Sequence, residues 1–251
     1  MMEYPVNRTV AWLTWRQMFA QRRAWVAAGV ALLPAVVTIL FRLAADPAAE
    51  QAGFFSVLQR EVVLGILLPL AALVFGTEAF GGEAEDGTLV YLLVKPLRRW
   101  RVVTSKYVVA ALTCFIVMVP AVCLPWLLLD DAALTFGIAR ALVAGAAVGA
   151  ALYAGLFVML GILTTRAFTL GLIYVIGFEN VLSRSGAVGA KSLSIREFAT
   201  SIAQSTGDAA VVLGTPDVAV GTIRNAGAII LVLALGIAIW RLAHYQLAER
   251  V

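Results

Sequence analysis

What most constrains this chain is a recurring absence of charge. Residues 24–41, 107–129 and 141–165 contain no charged side chain, and a further uncharged centre lies between Glu61 and Glu78. Runs of this kind approach the ~20 residues with which an α-helix crosses a ~30 Å hydrocarbon core. Composition agrees: 62% of residues are hydrophobic and 14% charged, with mean hydropathy +0.93. Average soluble domains are about half apolar and a quarter charged, so a fold in water has no way to hide this surface. In hydrocarbon the backbone must satisfy its own polar groups, which leaves helices. The expected fold is therefore all-α, a single polytopic domain of six transmembrane helices at about 24–41, 56–80, 107–129, 141–165, 167–183 and 218–244.

Local signals punctuate these spans. Pro120 and Pro125 remove backbone donors and should kink the third. Only Thr164 to Ala167 separates the fourth from the fifth, which makes them a tight antiparallel hairpin. Thr215, Pro216 and Asp217 open the sixth as a cap with a first-turn proline. A long loop, 184–214, precedes it. Arginines at 8, 16, 22 and 23 interrupt any signal-peptide core, so the first span is expected to be an uncleaved anchor. With both termini cytoplasmic, Arg8, Arg16, Arg22, Arg23, Lys95, Arg98, Arg99, Arg101, Lys106, Arg166, Arg241 and Arg250 lie inside, as the positive-inside rule prefers.

Two amphipathic pieces lie outside the spans. Residues 1–23 set Val10, Leu13 and Met18, with Trp25 beyond them, against arginines, the pattern of a cytoplasmic helix lying along the interface. In the outer loop, Ile195, Phe198 and Ile202 recur opposite Arg196, Glu197 and Gln204, which predicts a surface or re-entrant helix.

Several function classes drop out. The net charge of +4 follows from membrane topology and no basic stripe carries interleaved aromatics, so nucleic acid is not an expected partner. The one histidine, His244, rules out an HExxH zinc site, and no Gly-x-Ser-x-Gly elbow occurs, so no catalytic residue is assigned. Cys114 and Cys123, nine residues apart in one helix, point to opposite faces and should form neither a disulfide nor a metal site.

The segment 81–101, between the second and third spans, is the most informative stretch. It runs from acid (Glu83, Glu85, Asp86) to base (Arg98, Arg99, Arg101), and from Thr88 onward Leu89, Leu92 and Leu93 form an apolar strip that Pro96 terminates. A short helix with one greasy face must bury it against the protein's own helix ends or in the groove of a soluble partner. The set Glu83, Glu85, Gly87, Thr88, Leu89, Leu92, Leu93, Pro96, Arg99 and Lys106 resembles the signature of ABC-2 type permeases, the membrane subunits of bacterial ATP-driven exporters. Glu179 and Leu182, followed by Leu193 to Phe198, are similar to the outer segment such permeases carry after span five.

This resemblance implies a coupling helix at Glu83 to Pro96 docked in a separate ABC ATPase. Leu89, Leu92 and Leu93 would fill the groove, Glu83, Glu85 and Asp86 would face the positive end of the helix dipole, and Gly87 would provide the turn. Arg99 and Lys106 would hold the next span at the headgroups. It further implies a second permease copy, in a homodimer or heterodimer, and a place in the bacterial cytoplasmic membrane. The chain has no Gly-x-x-x-x-Gly-Lys-Ser/Thr loop, so no cofactor is assigned to it and ATP is left to the partner. A non-exporting partner of an ATPase in envelope assembly would share this fold, and a membrane enzyme is the remaining alternative.

Two further features admit two readings each. Gly145 and Gly149 make a small-residue surface on span four, for packing inside one subunit or between two. Glu179 is a carboxylate within an apolar helix, a placement that costs roughly 2.5–3.5 kcal/mol at the bilayer centre. It is either part of a pathway or gate, or an interfacial residue paired with Asn180 or Arg184.

Overall fold

The computed structural model describes residues 8–20, 22–44, 50–85, 98–179, 194–205, 209–216 and 219–244. Among these there is helix and no strand, as a chain immersed in lipid requires. Five helical rods are long and apolar enough to cross a membrane: Arg22–Ala44, Gln51–Gly81, Arg99–Leu128, Phe136–Leu163 and Val220–Ala243. They fall on the first, second, third, fourth and sixth predicted spans. The fifth appears as the shorter apolar helix Ala167–Glu179, and residues 180–183, which would complete it, lie outside the described residues.

In chain order, α1 (Arg8–Ala20) precedes a first rod made of α2 (Arg22–Ala31) and α3 (Leu33–Ala44). The break at Leu32 sits just before Pro34, whose ring supplies no amide to the ladder. The second rod joins α4 (Gln51–Val57), a π-helical stretch Leu58–Leu67, and α5 (Leu68–Glu85). Then come α6 (Arg99–Leu128) and α7 (Phe136–Leu163), followed by α8 (Ala167–Ile173), which runs into a second π-helical stretch, Tyr174–Glu179. The chain continues through α9 (Ile195–Gln204), α10 (Ala209–Leu213) and α11 (Val220–Ala243). α6 stays helical through Pro120 and Pro125. Near them, where prolines loosen the ladder, the buried Gln59 amide donates to the Val122 carbonyl at 3.1 Å.

The core forms around α7, which touches α5, α6, α9 and α11. Its small residues make this possible. A Cβ on Gly145 would lie 2.4 Å from the Ala199 carbonyl oxygen, and one on Gly149 would lie 2.5 Å from Leu68 Cδ2 and 3.1 Å from Ala199 Cβ. The small-residue surface is thus used inside the subunit, against α5 and α9. Ile39, Leu40 and Leu43 of α3 and Ile229, Val232 and Leu233 of α11 remain exposed, surface expected to meet lipid.

Side chains tie the loops to this frame. Arg42 donates to the Leu128 carbonyl at the end of α6 (2.5 Å) and to Asp130 (3.0 Å). Asp131 accepts from the Ala52 amide at 3.1 Å, which places a carboxylate at the amino end of α4. Gly214 adopts φ +82° just past α10, where its amide returns to the Ala210 carbonyl, a helix ending that favours glycine.

Both amphipathic predictions are sharpened. α1 buries Val10, Thr14 and Met18 and packs mainly on α6, whereas Leu13 and Trp25 point outward. The outer helix forms as α9 and is not a surface helix. Arg196, Glu197 and Gln204 are 7%, 9% and 4% exposed, so the polar face is as buried as the apolar one. The predicted amphipathic pattern holds, but both sides of it face protein.

Candidate functional site

Two groups of side chains stand out, one at the 81–101 end of the span-two rod and one beside its π-helical stretch. The first flanks the 81–101 segment. Glu83 and Glu85 belong to the last turn of α5, while Asp86, Gly87, Thr88, Leu89, Leu92, Leu93 and Pro96 lie outside the described residues. Arg99 and Lys106 are both placed, on the first turns of α6.

Lys106 does not sit as the sequence predicts. Lys106 is 1% exposed, so its ammonium does not reach headgroups. It donates to the Ala79 carbonyl at 2.5 Å and lies 4.4 Å from the centre of the Phe80 ring, an oxygen and an aromatic face that together replace part of its hydration. A long lysine stem turned inward along α5 explains the burial. Arg99 donates to the Leu242 carbonyl at 2.8 Å, where α11 ends and leaves carbonyls without amide partners. These two cations therefore bind α6 to α5 and to α11.

The second group surrounds Glu179, at the end of the second π-helical stretch and 1% exposed. Its Oε1 accepts from the Tyr153 hydroxyl (2.7 Å), the Ser194 hydroxyl (3.0 Å) and the Arg196 backbone amide (2.5 Å), and its Oε2 accepts from the Tyr174 hydroxyl (3.1 Å). Burying a carboxylate is costly unless its lone pairs are satisfied, and here four donors from three elements do so. One donor matters most for the fold. Arg196 is in the first turn of α9, so Glu179 supplies a negative group to that helix's positive end, while the Ser194 hydroxyl, itself bound to Glu179, caps the Glu197 amide at 3.2 Å.

The Arg196 side chain extends the network to the first π-helical stretch. Its Nη2 meets Glu61 Oε2 at 2.5 Å, and the guanidinium lies over Gly65, where a Cβ would come within 2.8 Å of Cζ. α9 is thus held at its amino end by both π-distorted helices, a kind of distortion that gathers at functional sites. Of the two readings of Glu179, pairing with Asn180 or Arg184 lies outside the described residues, and the described partners are these four donors. Among the described residues, the arrangement fixes the start of α9 against α7 and the second π-helical stretch.

Tyr153, Tyr174 and Glu61 had no place in the sequence reading of this site, whereas Ser194 and Arg196 lie in the segment that the family resemblance sets after Glu179. One signal was present: Ser194-x-x-Glu197 ahead of an apolar face is the form of a helix-start capping box. Nothing local links Glu61 to Arg196 across 135 positions.

Comparison with known proteins agrees with this architecture. Residues 20–182 match the family model described as ABC-2 family transporter protein. The chain is 35% identical over 104 residues to a probable ABC transporter permease protein, NosY, of Pseudomonas aeruginosa, covering 39% of this chain and 38% of that protein. It is also 35% identical over 91 residues to the protein of the same name from Stutzerimonas stutzeri, covering 35% of this chain and 33% of that one. The matched stretches thus span 38% and 33% of those relatives' length. The family match takes in the first five predicted spans and the whole 81–101 segment, more than half of the sequence, and the chain belongs to the ABC-2 transporter family.

Proposed function

We propose that this chain is the permease subunit of an ATP-driven exporter in a bacterial cytoplasmic membrane, with both termini cytoplasmic. In this reading a separate ABC ATPase supplies the energy and a second permease copy completes the pathway. The observation that carries it is the way the flanks of 81–101 are fastened. Lys106 ties the start of α6 to α5, on the other side of the segment, and Arg99 ties it to the end of α11. A push on residues between these anchors reaches three membrane helices as one body, as conversion of nucleotide closure into helix movement requires.

Within the segment, Leu89, Leu92 and Leu93 are the side chains proposed to enter the ATPase. Glu83, Glu85 and Asp86 favour its amino end, Gly87 and Thr88 turn the chain, and Pro96 ends it. Farther along the rod, beside its π-helical stretch, Glu179 and Arg196 hold α9 as the closed outer gate. The test is Leu92→Glu, which places a charge where an apolar groove is expected. The variant should insert in the membrane at wild-type level while co-purification of the ATPase falls at least about tenfold, or about 1.4 kcal/mol. Unchanged co-purification would refute the coupling assignment.

A further inference from the structure

A cavity of about 860 Å³ lies between α2, α5 and the turn joining α7 to α8. Along the second rod its lining runs from Leu67 to Gly81, about 21 Å at the rise of an α-helix. The wall is apolar, built from Val26, Val30, Leu70, Val74 and Phe168. The mouth is not. Arg22, Arg23, Glu78 and Arg166 gather there, at the end of the bundle that carries the 81–101 segment.

Among the described residues lining this mouth the charges do not balance. Arg23 is paired with Glu78, which leaves Arg22 and Arg166, both exposed, with no carboxylate opposite them among the described residues that line the cavity. Two guanidiniums beside a long apolar slot match a molecule with an anionic head and a hydrocarbon tail. Arginine forks suit phosphate oxygens in particular, and the volume falls within the ~300–1,000 Å³ typical of small-molecule sites.

We propose that this cavity binds an anionic phospholipid from the surrounding bilayer, its phosphate held between Arg22 and Arg166 and one acyl chain lying along the Val26, Val74 and Phe168 wall. A free phosphate would use the mouth and leave the slot empty; the apolar wall favours a lipid. The proposal goes beyond the transport reading and does not depend on it, because occupancy of the slot requires neither ATP nor the ATPase.

The experiment uses the full chain in phosphatidylcholine nanodiscs containing a trace of either phosphatidylglycerol or phosphatidylcholine with a photoreactive acyl tail. Peptides from 22–31 and 67–81 are then mapped for label. Phosphatidylglycerol should label them about fivefold or more above phosphatidylcholine, the size expected of even one basic residue acting on an anionic headgroup. Arg22→Gln with Arg166→Gln should abolish that preference, and Val74→Trp, which fills the slot without altering charge, should reduce labelling by both lipids. Equal labelling by the two lipids, or a preference that survives the double variant, would overturn the site. So would displacement by inorganic phosphate as effective as by unlabelled phosphatidylglycerol, or crosslinks from 22–31 to a second copy of the chain in place of lipid. A negative result here leaves the coupling assignment untouched, and failure of the Leu92→Glu test leaves this site untouched.

Discussion

Lys106 and Glu179 are the same kind of anomaly, an ionisable side chain 1% exposed inside a membrane bundle, yet the protein treats them differently. The contacts of Lys106 include a carbonyl oxygen of α5 and an aromatic ring. Around Glu179 stand three hydroxyls and a backbone amide, from α7, the second π-helical stretch and the start of α9. The lysine joins two helices that are already continuous rods. The glutamate organises the amino end of a ten-residue helix that no membrane-spanning rod contains. The outer cluster gathers donors from three elements onto one carboxylate, so its removal strands several polar groups at once.

The comparison can be broken in three places. The largest effect is expected from Glu179→Ala, which strands two tyrosine hydroxyls, a serine hydroxyl and the Arg196 amide. Loss of one partner from a buried charged network costs about 3–5 kcal/mol, read as a lower unfolding midpoint in nanodiscs and as faster proteolysis around α9. If Glu179→Ala leaves both unchanged, the outer cluster does not hold α9. A smaller loss, about 1.5–3 kcal/mol, the range for a hydrogen bond to a charged group, is expected for Lys106→Met. Its sharper signature is functional: ATP hydrolysis by the assembled complex should persist while its coupling to substrate movement falls. Equal or greater destabilisation than Glu179→Ala would reverse the ranking of the two buried charges.

The smallest change is expected for Glu61→Gln. Its pair with Arg196 is short, but the Glu61 side chain is 53% exposed, so screening limits the loss to about 1 kcal/mol or less. The same unfolding measurement checks it, and a loss approaching that of Glu179→Ala would show that Glu61, not Glu179, anchors α9.

Legibility in the sequence followed the solvent. Spans one, two, three, four and six were readable because a bilayer rewards an uninterrupted apolar run wherever it lies, with no need of a specific partner. The fifth was harder to read, since Ala167–Glu179 is shorter than a full crossing among the described residues. The helix Ile195–Gln204 was legible as a helix from its period and its serine start, but its burial was not. Amphipathic spacing predicts that a polar face meets water, and here that face meets Gly65, Glu61 and Glu179. The two π-helical stretches left no periodic trace, because one widened turn changes the register without changing the composition. The coupling segment remains a sequence expectation over residues 86–97.

What the sequence alone determined is the membrane, the positions of the long spans and the family resemblance. Each of these rests on local composition or on fixed spacing along the chain. The tertiary structure decided which charges are buried and what they hold: Lys106 on Ala79, Arg99 on Leu242, Glu179 on Arg196, and the Gly145 and Gly149 surface against α9 rather than another subunit. The physical reason is that a buried polar group is paid for by partners in three dimensions, and those partners come from elements whose separation in sequence carries no signal.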